Sequence, residues 1–144
     1  MPGERRDPYR NFRFRVEIEG IQQAGFSEVT GYDTSIDVIE YREGNEPTTP
    51  RKLPGLTKYG NITLKWGVTD SMDMYNWILQ CVEGTITRKT VTIIALDETG
   101  ADVATWQVNE AWPAKYTAPN FNGTGKEVAI ETLELAHEGM RRTR

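Results

Sequence analysis

A chain of 144 residues suits one domain with a sizeable core, since domains most often run to roughly 100–150 residues. Its mean hydropathy of -0.58 and the lack of any apolar run near the roughly 20 residues of a membrane helix exclude a helical bilayer span. A net charge of -4 argues against a general nucleic-acid binder, which carries excess Lys and Arg to neutralise phosphates. The N-terminus, MPGERRDPYR, has charge but no apolar stretch behind it, so no secretory leader is expected and synthesis in the cytoplasm is. The single cysteine, Cys81, cannot form an internal disulfide.

The first predicted strand spans residues 11–19, where Phe12, Phe14, Val16 and Ile18 alternate with Arg13, Arg15, Glu17 and Glu19. A second is expected over residues 24–30 and a third over 34–41, where Ile36 and Val38 alternate with Ser35 and Asp37 while Ile39 and Tyr41 blur the parity. Residues 42–59 carry Gly44, Pro47, Pro50, Pro54 and Gly55 and read as one long loop without regular structure. Compact domains rarely hold structureless connections beyond about 12–15 residues unless they bind something, so this stretch reads as an interaction arm.

Alternation returns at residues 61–67, with Ile62, Leu64 and Trp66 opposite Asn61, Thr63 and Lys65. Thr69, Asp70 or Ser71 is the expected cap of a helix whose Met74, Trp77, Ile78, Cys81 and Val82 follow helical spacing up to Gly84. Two β-rich runs, 89–96 and 102–110, flank Asp97-Glu98-Thr99-Gly100 as a hairpin, and residues 112–116 extend the sheet. After a turn-rich segment the last strand is expected over residues 127–137, with a bulge or twist where its apolar parity shifts between Ile130 and Leu133. One helix among roughly seven strands defines a mainly β protein, an antiparallel β-barrel or sandwich with one packed α-helix, in a single domain over 1–144.

Catalytic constellations are thin. His137, the only histidine, needs a carboxylate such as Glu134 or Glu138 to act as a base. Cys81 falls on the apolar helix face and reads as core, and Asp70 and Asp73 lack the ligand count of a calcium loop. Residues 120–126 miss the spacing of a phosphate loop and precede a strand rather than a helix. Of the four tryptophans, Trp66, Trp77 and Trp106 fall on apolar faces, whereas Trp112 beside Pro113 is placed at an interface. Arg5, Arg6 and Arg10 lie in an N-terminal arm, residues 1–8 and beyond, suited to an anionic partner or to solvent. No catalytic, cofactor or metal site is expected.

Three blocks carry a resemblance: Asp7-Pro8-Tyr9-Arg10-Asn11-Phe12; residues 25–31, Gly-Phe-Ser-Glu-Val-Thr-Gly; and residues 51–67, RKLPGLTKYGNITLKWG. With Val68-Thr69 and Tyr75-Asn76-Trp77-Ile78 they resemble the phage tail tube family over about residues 7–140. That family includes the inner tubes of contractile phage tails and of extracellular contractile injection systems, and is similar in fold to the type VI secretion tube protein. The resemblance implies a homo-hexameric ring whose subunits lend strands to a ring-wide barrel, stacked into an inner conduit for DNA or toxin cargo. It implies as partners a sheath, a baseplate hub or initiator and a terminator, and a place in a virion tail or released injection particle. The inter-subunit or inter-ring contacts it implies fall on the 42–59 arm, at Arg42, Glu43, Asn45, Glu46, Pro47, Pro50, Arg51, Lys52, Leu53, Pro54, Leu56 and Tyr59. The competing expectation is a β-sandwich module that binds carbohydrate through aromatics around Trp112 and Tyr116.

Overall fold

Where apolar and polar residues alternate, the chain is extended, because one face can be buried while the other stays wet. The structure, a computed structural model, describes residues 13–21, 25–42, 44, 51–121, 123 and 129–144. Over these the chain forms β1 (Phe14–Ile18), β2 (Phe26–Thr30), β3 (Thr34–Tyr41), β4 (Arg51–Tyr59), β5 (Ile62–Gly67), α1 (Asp73–Val82), β6 (Lys89–Leu96), β7 (Asp102–Thr117), β8 (Ile130–Ala136) and β9 (Gly139–Arg142). Every pairing is antiparallel, in the order β1-β6-β7-β8-β5-β2, with β9 beside β7 and with β3 and β4 forming a separate two-stranded ribbon.

Long β7 turns the corner of this architecture. Its first part pairs with β6 up to Ala111, and its last part, Trp112 to Thr117, pairs with β8 on the other edge. At the corner Glu110 has φ 56, the one positive φ of a non-glycine residue among those described, next to a register shift against β6. Among the described residues two sheets thus wrap one core without closing, since β1 pairs there only with β6 and β2 only with β5. The mainly β, barrel-or-sandwich expectation holds in this open form.

Inward residues meet between the sheets: Val16 and Ile18, Ile62, Leu64 and Trp66, Val91 and Ile93, Val108, Leu133 and Leu135 are all buried. Burying each such aliphatic side chain contributes about 1.5–3 kcal/mol. Helix α1 closes the core with Met74, Trp77 and Ile78, and its Trp77 Nε1 donates to the Thr87 carbonyl at 2.8 Å. Its end follows the glycine signal: Gly84, at φ 104, and Thr85 donate backward to the Cys81 and Gln80 carbonyls in a Schellman arrangement.

Four expectations are corrected. Residues 51–59 are strand β4, paired with β3 along Arg51↔Tyr41 to Tyr59↔Thr34, so the expected 42–59 loop is regular structure over its second half. Pro54 is tolerated because a two-stranded ribbon has two outer edges on which a missing N–H breaks no ladder. Helix α1 starts after Met72 without a side-chain cap; Thr69 Oγ1 instead accepts from the Ser71 amide before the helix begins. The parity shift in the last strand is no bulge on β8, which pairs with β5 in unbroken register; the extra residue lies on β7, between Pro113 and Lys115. Finally, the strand ending near His137 is not the last, since β8 stops at Ala136 and a short β9 follows it along β7.

Candidate assembly interface

Strands β3 and β4 are continuous with β2 and β5, so that one long hairpin runs out of the sheet and becomes a free ribbon. At its root Gly31 has φ +84, and a Cβ there would stand 2.5 Å from the Asn61 carbonyl oxygen. A Cβ on Gly60 would stand 2.2 Å from Asp33 Oδ1, so both positions exclude a side chain. The Gly60 amide donates to the Asp33 carbonyl at 3.1 Å and to its Oδ1 at 3.1 Å. From β8 and its end, His137 Nε2 donates to the Gly60 carbonyl at 2.8 Å, and Asn61 Nδ2 donates to Glu134 Oε1 at 3.0 Å. His137 and its neighbours therefore hold the root of the arm rather than form a catalytic pair: Glu134 is engaged by Asn61, and Glu138 by Arg88.

Beyond the root the ribbon leaves apolar side chains in the open on both strands: Ile36 at 57%, Val38 at 63%, Ile39 at 51%, Leu53 at 46% and Leu56 at 73% exposure. Polar contacts such as Lys58 Nζ to Asp37 Oδ2 at 3.1 Å brace it internally. A two-stranded ribbon alone in water is marginal at best, and open apolar surface of this kind marks an interaction site. Of the contacts expected on this arm, Arg42, Arg51, Lys52, Leu53, Pro54 and Leu56 are exposed and Tyr59 is half-buried beside the His137 ring at 5.7 Å. Glu43, Asn45, Glu46, Pro47 and Pro50 lie outside the described residues, as do Arg5, Arg6 and Arg10. Sequence reasoning did not assign Ile36, Val38, Ile39 and Tyr41 to the interface, although their blurred parity, apolar on both faces, is the signal for it.

A second apolar surface lies on α1. Tyr75, Ile78, Leu79, Cys81, Val82 and Ile86 face residues 112–116 of β7 across a groove of about 430 Å³. Val82 is 77% exposed and Ile86 54%. Cys81, expected as core, packs against the core and also lines this groove. Trp112, expected at an interface, lines this groove with Tyr116, and the two form its walls and not an open stacking platform. The Tyr116 ring meets Tyr75 edge-on at 5.7 Å, and its hydroxyl donates to Glu131 Oε2 at 2.8 Å. Burial first, and then that bond to a carboxylate, push the Tyr116 hydroxyl up to about 12. No group of three or more metal-ligating side chains occurs among the described residues.

An open antiparallel sandwich with unpaired sheet edges, a projecting two-faced ribbon and an apolar groove is the build of a subunit that is completed by its neighbours. The comparisons name that class. Residues 10–141 match the family of the T4-like virus tail tube protein gp19, and the chain belongs to that family. It is therefore a structural tail tube protein and not an enzyme.

Solved structures agree. A chain in the cryo-EM structure of the sheath/tube terminator of an extracellular contractile injection system, PVC, in the extended state is 30% identical; the match covers 96% of this chain and 99% of that one, with a TM-score of 0.87. A chain in the PVC sheath-tube complex in its extended state is also 30% identical, covering 94% and 91%, with a TM-score of 0.85. Hcp1 from Flavobacterium johnsoniae shares the fold alone, at 18% identity over 92% of this chain and 95% of that one and a TM-score of 0.65. Among curated proteins none matches the sequence.

Proposed function

We propose that this tail tube protein forms hexameric rings that stack into the inner conduit of a contractile tail or injection particle, delivering DNA or effector cargo. The observation that carries the reading is the β3–β4 ribbon, whose apolar residues are uncovered on both strands and which pairs with no other strand among the described residues. Within a ring or between rings a neighbour would cover it, and Lys52, Leu53, Leu56 and the rest of the arm would be its contacts. A sheath surrounds the tube, a baseplate hub or initiator starts it and a terminator ends it; solved structures similar to this chain come from such assemblies.

The conduit wall follows from the sheet β2-β5-β8-β7. Its outward side carries Thr30, Thr63, Thr117 and Thr132 with Glu28, Lys65, Lys115 and Glu134, and Lys65 Nζ meets Glu28 Oε2 at 3.3 Å. Two positive and two negative charges balance, giving a hydrophilic wall that does not hold a polyanion. Negative-stain electron microscopy of the purified protein at raised concentration is expected to reveal rings with a central hole and stacked tubes. A uniform monomer at every concentration, with no growth from a baseplate complex, would refute the reading.

A further inference from the structure

His137, the only histidine of the chain, sits at the root of the arm with its two ring nitrogens in unlike settings. Nε2 lies 2.8 Å from the Gly60 carbonyl oxygen, an atom that only accepts, so the neutral ring carries its proton on Nε2 and donates it there. Nδ1 then holds a bare lone pair, shut off from solvent and without a hydrogen-bond partner among the described residues. We infer that this ring is an acid-sensitive latch: a second proton, taken up at Nδ1, detaches the ring from Gly60 and frees the β3–β4 arm from the sheet that aims it. The latch belongs to the single subunit; its consequence for stacking rests on the tube reading.

Protonation places a charged N–H where no acceptor stands among the described residues, and burying such a donor unmet costs more than one hydrogen bond returns. The ring relieves this by swinging Nδ1 out to water. That movement breaks the bond from Nε2 to Gly60 and the packing on the Tyr59 ring of β4, 5.7 Å away. Carboxylates around the ring are engaged elsewhere. Asp33, between β2 and β3, accepts the Gly60 amide on Oδ1; Glu134 of β8 accepts from Asn61 and stands opposite Lys115 of β7; Glu138 accepts from Arg88. Gly60 joins β4 to β5, so a carbonyl freed there lets the peptide turn and loosens the bonds of the Gly60 amide to Asp33. In a tube the arm must leave the sheet at one angle to meet its neighbour, so mild acid weakens stacking.

Amide hydrogen exchange of the dispersed, unsubstituted subunit tests the latch between about pH 8 and about pH 5, a window that spans the ordinary titration of imidazole. With each rate divided by that of the unfolded chain at the same pH, the Gly60 amide is expected to lose at least about tenfold in protection toward acid. Leu64, in the core of β5, keeps its protection and so excludes global unfolding. Nitrogen NMR of the single imidazole is expected to report the Nε2–H form at the upper pH and protonation in step with the loss at Gly60. His137→Gln retains a donor for Gly60 and takes up no proton, so its Gly60 protection is expected to stay level. A ring that protonates while Gly60 stays protected, or one that stays neutral down to the lower pH, overturns the latch without any variant; so does an equal loss in His137→Gln. Tubes of equal length at both pH values would overturn the consequence for stacking. Failure of the protein to form any ring or tube would refute the tube reading and leave the latch standing on its exchange data.

Discussion

Glu110 occupies the left-handed region at φ 56, where a non-glycine residue costs about 1–2 kcal/mol. Glu110→Gly removes that strain and forfeits about 0.4–1 kcal/mol through the freer unfolded chain, so a net gain of about 0.5–1 kcal/mol is expected. Urea unfolding of the dispersed subunit checks the sign; a loss of stability would mean that the glutamate side chain holds the corner in place. Tyr116 gives a pH dependence. An unfolded tyrosine loses its proton near 10.0, the folded one near about 12. Between these values the folded state keeps a proton that the unfolded state has released, so stability is intact below pH about 10 and falls as pH rises toward 12. In Tyr116→Phe that alkaline slope is expected to vanish, read from urea midpoints between about pH 9 and pH 11. At the other extreme Asp97 Oδ1 accepts from the Thr99 hydroxyl at 2.7 Å and from the Thr99 and Ala101 amides, which lowers its pKa. Its contribution is present above the ordinary carboxylate range and is lost as acid protonates it, so the Ala101 amide is expected to lose protection relative to the unfolded chain as the pH falls below that range.

Elements differ in how openly the sequence declares them. Strands β1 and β5 alternate strictly, and α1 is bounded by Gly84, so all three are legible from period and punctuation alone. The β6–β7 hairpin is equally plain from Asp97 and Gly100. Strand β4 was not legible, for two physical reasons. Pro54 and Gly55 are breakers in a sheet interior, though not in a free ribbon, and a ribbon exposed on both faces imposes no alternation on its residues. Strand β9 reads Gly-Met-Arg-Arg, too short and too polar to announce itself, and is a strand only because β7 offers it an edge. For the interface, the position of the arm was visible in its density of turn residues, while its geometry depended on a root formed by Gly31, Gly60 and His137, which are far apart in the chain. Deleting residues 47–55 shortens β4 without removing a core residue, because among the described residues β4 pairs only with β3. Circular dichroism is expected to show a folded subunit, and electron microscopy no tubes; normal tubes from this deletion would deny the arm its role.

At the level of the whole molecule, the proposed conduit makes the outward threonine and paired-charge face the wall that cargo would meet. Substituting Thr63→Lys and Thr132→Lys on neighbouring strands β5 and β8 would turn a balanced wall basic. Tubes of this variant are expected to retain DNA in a filter-binding assay at low salt and release it as salt rises, whereas unsubstituted tubes retain little. Equal retention by both would place another surface at the lumen.

The continuity of β2 with β3 and of β4 with β5 also has a mechanical side. Tension applied to the ribbon along its length passes through Gly31 into β2 and through Gly60 into β5, which is flanked by β2 and β8. Antiparallel hydrogen bonds lie across the strands, so such a load shears many bonds together and cannot peel them one at a time. A protein whose neighbours pull on this ribbon is thereby loaded in the direction in which a sheet is strongest.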